Sequence, residues 1–220
     1  MRRGFGVIAI VTMFASGSLS QANAQEPRLV GRLADAARVQ VDGILVTARA
    51  AGLPAEPLVD RALQGATMGA PPDRIVAAVN RLLEELRVAR QAFGETASAA
   101  ELTAGAEALR AGASKADLAR LKQLRPRHSL TIAAGVLADL VAAGVAADTG
   151  IAAVLALASN AGDADYIAFR RNVERDIAQG ASPASSIGVR LRAVGEMADA
   201  PRDLTTGSTS TTAPPRKRKP

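Results

Sequence analysis

Residues 51–72 read AGLPAEPLVDRALQGATMGAPP, and this order decides the fold. A glycine comes first, then one apolar residue, then a helix-starting residue and an amphipathic run. The left-handed backbone that commonly closes an α-helix carries no Cβ penalty in glycine. The next helix then starts on a Ser, Thr, Asp or Asn cap, or with Pro in its first turn. Gly52-Leu53-Pro54 and Gly69-Ala70-Pro71-Pro72 fit this pattern. So do Gly112-Ala113-Ser114, with Asp117 three residues past the cap, Gly162-Asp163 and Gly180-Ala181-Ser182-Pro183. Gly144-Val145-Ala146 keeps the stop without a good cap, and Asp148 supplies either that cap or a first-turn carboxylate facing the helix dipole. Ser98-Ala-Ala-Glu101 predicts a capping box, and Arg125-Pro126 predicts a helix end.

The punctuation is spaced regularly. Glycines 144, 162 and 180 are 18 residues apart, as are 94 and 112, while 52 and 69 are 17 apart. One interval holds a helix of about 14 residues and a tight turn; two make a hairpin of about 36 residues, the size of helical-hairpin repeats. The Trp, Leu-Gly and Tyr pattern of tetratricopeptide repeats and the TPLH signature of ankyrin repeats are absent, so no family is assigned. Between the stops, apolar residues recur at helical spacing. Ile75, Val76, Val79, Leu82, Leu83 and Leu86 form one stripe, and Leu33, Ala37, Val41 and Ile44/Leu45 another. Arg81 with Glu85 and Glu84 with Arg87 stand at pairing distance on a helix surface. No β alternation competes. The expected fold is all-α, with short antiparallel helical hairpins stacked as a compact bundle or short α-solenoid. Thr131–Ala158 is the most apolar stretch, but Asp139, Gly144 and Asp148 interrupt it. It reads as two buried helices rather than a membrane span.

Residues 1–24 form a cleavable signal peptide in this reading: Arg2 and Arg3, then an apolar run over Gly4–Ala15, then Ala22-Asn23-Ala24 before a mature start at Gln25. The expected location is periplasmic or secreted. Residues 25–203 form a single all-α domain, and residues 204–220 a disordered polar tail with a basic tip, because TTGSTSTTAPPRKRKP has no large apolar residue to bury. The chain has no cysteine, so packing rather than disulfides must stabilise it. A net charge of +6 and a pI near 10.6 suggest nucleic acid until the charges are located. Two of the 27 basic residues are Arg2 and Arg3, and four lie in the last five residues; the span between carries 21 basic against 21 acidic side chains. The domain itself has no electrostatic footprint for DNA or RNA.

The inventory is poor in catalytic parts. His128 is the sole histidine, no Ser sits in a G-x-S-x-G elbow, and no P-loop or dinucleotide fingerprint occurs. Asp148-Thr149-Gly150 copies the aspartic-protease tripeptide, but no second copy exists to share its proton. Asp163 and Asp165 lack the further oxygen ligands of a calcium loop and read as first-turn acids. No cofactor or metal is expected. Arg170, Arg171 and Arg175 form a basic cluster diluted by Glu174 and Asp176. Of the aromatics beyond the signal (Phe93, Tyr166 and Phe169), the last two read as core; if any surface anchor exists, that pair is the candidate, with the three arginines beside it. The leading expectation is an exported, non-catalytic helical scaffold or binding module for envelope proteins. One alternative is an envelope-associated factor whose arm, Arg216, Lys217, Arg218 and Lys219, rests on anionic lipid or polymer. A third is an enzyme of unrecognised type.

Overall fold

The helical stops foreseen above are closed by one bonding pattern. At Gly52, Gly69, Gly112, Gly144 and Gly180 the backbone φ is positive, between 65° and 111°. At each, the following amide reaches back to the carbonyl five residues earlier: Leu53 to Ala48, Ala70 to Gly65, Ala113 to Ala108, Val145 to Leu140 and Ala181 to Asp176, all at 2.9–3.0 Å. This is the Schellman closure, which satisfies carbonyls the helix leaves orphaned.

The computed structural model describes residues 26–199, so the signal segment, the tail and Arg216–Lys219 lie outside the described residues. Among them are a short 3₁₀ turn (Pro27–Leu29) and nine α-helices: α1 (Asp35–Ala50), α2 (Glu56–Thr67), α3 (Pro72–Phe93), α4 (Ala99–Arg110), α5 (Lys115–Leu124), α6 (Thr131–Ala142), α7 (Ala147–Leu157), α8 (Asp163–Ala178) and α9 (Pro183–Asp199). No strand occurs among the described residues. The chain is all-α.

The backbone divides into two compact units, the first ending at Leu83 within α3 and the second starting at Glu84. In the first unit α1 packs on α2, and the 3₁₀ turn packs on α2 as well. Arg28 of that turn donates both guanidinium ends to Glu56 of α2, at 2.6 and 2.8 Å. Leu29, Val41, Leu45 and Leu58 are fully buried. Pro54 lies before α2 rather than in its first turn; Pro57 takes that place.

In the second unit the helices form two rows. α4 contacts α6 and α6 contacts α8, while α5 contacts α7 and α7 contacts α9; α6–α7 and α8–α9 also pack as hairpins. This alternation is the stacking of an α-solenoid. α6 and α7 are the two halves of the apolar stretch, parted at Gly144, and Leu137, Leu140, Val154 and Leu157 are buried on them. Small residues let the rows close up. A Cβ on Gly105 of α4 would stand 2.7 Å from the Phe93 ring, and one on Gly150 of α7 would stand 2.9 Å from Leu137. Both capping boxes are present, at Ser98/Glu101 and Ser114/Asp117.

Two further local expectations are corrected. Gly162 does not stop α7; its φ is −82°, and it is the N-cap of α8, with its amide donating to Asp165 at 2.8 Å. Of the two places foreseen for Asp148, it takes the first turn of α7, with Ala146 as the N-cap. Glu84 pairs with Arg87 as foreseen, but Glu85 reaches across to Arg110 of α4 at 2.7 Å rather than to Arg81.

Candidate functional site

The connections α5–α6 (residues 125–130) and α7–α8 (residues 158–162) meet in the second unit, and one buried cation holds them together. Arg125 is 1% exposed although it lies in a loop. Its guanidinium donates to the Ala161 carbonyl and, at 2.8 Å, to Asp163 in the first turn of α8. It also lies 5.0 Å from the centroid of the Tyr166 ring, a cation–π arrangement. Tyr166 is fully buried and donates its hydroxyl to the Val154 carbonyl of α7 at 2.8 Å. Burial pushes the Tyr166 hydroxyl pKa up to about 12, against the opposing field of Arg125. A second brace runs between the starts of α4 and α6: Glu101 accepts from the Leu130 amide at 3.0 Å as well as closing its own capping box. Burial works to raise the pKa of Glu101, but the hydrogen bonds from Ser98 and Leu130 prevail and hold its carboxyl below the ordinary value.

Beside this brace lies a cleft of about 260 Å³, lined by Pro126, Arg127 and His128 from one loop and Ser159, Asn160 and Gly162 from the other. Arg127, His128, Ser159 and Asn160 are exposed. Their side chains make no hydrogen bond or ion pair with other described residues, in contrast to the acids close by. Asp163 is committed to Arg125 and Asp165 to the Gly162 amide. The cleft therefore offers one guanidinium, one imidazole, a hydroxyl and an amide, all unengaged, on a braced frame. Among the described residues no group of three or more His, Asp or Glu side chains is placed to hold a metal ion. No helix among them is long and apolar enough to cross a membrane.

The residues singled out from sequence fall elsewhere. Tyr166 and Phe169 are core residues, 0% and 2% exposed, facing inward with Val173 along one side of α8. This removes them as a surface anchor; their three-residue spacing puts both on the buried face. The arginine cluster is split by its neighbours. Arg170 is half-buried and bridges Asp139 of α6 at 3.2 Å and Glu174 at 3.4 Å. Arg171 and Arg175 are exposed one turn apart, with Arg175 donating to Asn172 at 3.1 Å. Arg125 carried no signal beyond its place before a proline; its partners lie 36 to 41 positions away in sequence. Comparison with protein-family models, curated proteins and solved structures yields no match for this chain.

Proposed function

We propose that this chain is an exported, non-catalytic helical-hairpin module that binds a protein of the bacterial envelope through the cleft between its α5–α6 and α7–α8 loops. The observation that carries the reading is that cleft: four exposed polar side chains without partners among the described residues, set on two loops that the buried Arg125 ties together. Loops carried on a rigid scaffold are where recognition concentrates, and stacked hairpins present such loops along one edge. The reading rests on geometry rather than on a relative. Export is supported by the signal-like residues 1–24. A non-catalytic role is supported by the lack of cysteine, and by a single histidine that meets no carboxylate or hydroxyl able to orient it among the described residues.

A photo-crosslinking amino acid placed at Arg127 or Asn160 in intact cells tests the proposal, with exposed Arg120 of α5 as the control position. One dominant protein adduct is expected from the cleft positions, lost when His128→Glu is added. No adduct from the cleft, or the same adducts from all three positions, overturns it.

A further inference from the structure

Helix α1 is apolar on two sides. Ala37, Val41, Ile44, Leu45 and Ala48 face the core. A second stripe, Ala36, Val39, Gly43, Val46 and Ala50, is exposed along its whole length, with Val39 at 62% and Val46 at 37%. A Cβ built on Gly43 meets nothing within 4 Å, so the middle of this face is open. Exposed apolar side chains scattered singly need no account, but a stripe with intervals of three and four along one helix is the seam of a helix pair.

The occupant is written in the order of the stripe. Ala-Val-Gly-Val-Ala reads the same in both directions, with Gly43 at its centre. A two-fold axis perpendicular to α1 at Gly43 would place Val39 against Val46, Ala36 against Ala50, and the two glycines against each other, where bare backbones approach closely. The flanks obey the same symmetry. Asp35, Asp42 and Arg49 lie on one edge of the stripe, and Gln40 and Thr47 on the other. In an antiparallel pair each edge meets its own copy, so Asp35 meets Arg49 at both ends of the seam. A parallel pair would set the charged edge against the neutral one and gain no ion pair. Asp35 is available, being 95% exposed with only a 3.4 Å contact to Arg38, and Arg49 makes a single 3.6 Å contact with Glu26. Asp42 is already occupied by the Glu26 amide and Arg38.

We infer that this face is an isologous interface: a second copy of the chain docks antiparallel on α1 about Gly43. One 16-residue helix pair with small side chains buries less than a standard interface of roughly 800 Å² per partner, so the dimer is weak and concentration-dependent. This proposal does not depend on the loop cleft.

The chain has no native cysteine, which makes the geometry directly testable. In the otherwise unaltered chain, Gly43→Cys is expected to form a disulfide-linked dimer under mild oxidation at least tenfold faster than Asp60→Cys at an exposed position of α2. Val39→Cys is expected to be slow, because an antiparallel pair separates the two copies of that position by about 12 Å along the axis, beyond disulfide reach. Adding Asp35→Arg to Gly43→Cys should slow the reaction severalfold, and Asp35→Arg with Arg49→Asp should restore it. Gly43→Cys reacting no faster than Asp60→Cys, or more slowly than Val39→Cys, overturns the inference.

Discussion

The Arg125 guanidinium sits 5.0 Å from the Tyr166 ring centroid and 2.8 Å from Asp163, so one loop side chain fastens α8 to the end of α5. Arg→Ala here leaves the Ala161 carbonyl without its donor and opens a cavity over the ring. A loss of about 2–4 kcal/mol is expected, tempered because Asp163 is 48% exposed and regains water. Arg125→Lys should recover part of it, since an ammonium keeps the charge but not the planar fork or the stacking. Urea unfolding followed by circular dichroism measures both, and a midpoint unchanged by Arg125→Ala would remove the brace from the account.

Tyr166 is the sole tyrosine of a chain without tryptophan, so its ionisation can be followed alone near 295 nm. Burial sets its folded pKa at about 12, above the ordinary phenol value of 10.0. A group whose folded pKa is raised contributes stability that is complete below the unfolded value and lost as pH rises through the folded one. The phenol should therefore titrate near 12 in the native protein and near 10 in urea, with stability falling between those limits. Tyr166→Phe should flatten that alkaline limb while costing about 1 kcal/mol at neutral pH through the lost bond to Val154.

Glu101 acts in the opposite sense. Its folded pKa is depressed, so its contribution is present above the unfolded value and fades as pH falls through the folded one. Glu101→Gln should lower the neutral-pH urea midpoint, because Ser98 and Leu130 bond different carboxylate oxygens and a single amide oxygen keeps only one of them, and should reduce the loss of stability as pH falls below the ordinary carboxyl range. An acid limb identical in the two proteins would show that the carboxylate is not what links α4 to α6.

Two glycines on helices should respond to alanine with opposite signs. Gly43 of α1 has open space at its Cβ position, so Gly43→Ala should stabilise the monomer by about 0.5–1 kcal/mol through helix propensity. Gly105 of α4 would drive its new methyl to 2.7 Å from Phe93 and 3.0 Å from Ala89, so the same change should cost about 1–3 kcal/mol. Thermal unfolding of the two variants in dilute solution checks the contrast.

Helix ends were legible because they are local. Ser98 with Glu101, Ser114 with Asp117, and glycines 52, 69, 112, 144 and 180 each satisfy backbone groups within a few residues, so their chemistry is visible in a short window. Gly162 misled because Gly serves at either end of a helix, and only the backbone angle separates the roles. The burial of Tyr166 and Phe169 was foreseen by periodicity, whereas the division of Arg170 from Arg171 depends on Asp139, 31 positions away. Arg125 was invisible as a brace for the same reason. The second stripe of α1 was there to be read in the sequence, but the first stripe already satisfied the helical period, and nothing local told which of the two would be covered.

The Schellman turns also bear on how such a chain grows. Each is sealed by bonds inside its own hairpin, whereas neighbouring hairpins are held by the packing of α4 on α6, α6 on α8 and α7 on α9, with Glu101 and Arg125 bonding across the loops. Joint and alignment are thus encoded separately, and a gene segment covering one hairpin can be copied with its bend intact. A duplicated unit then needs apolar faces that match its neighbours, and a polar bond at its rim, to fall into step with the array.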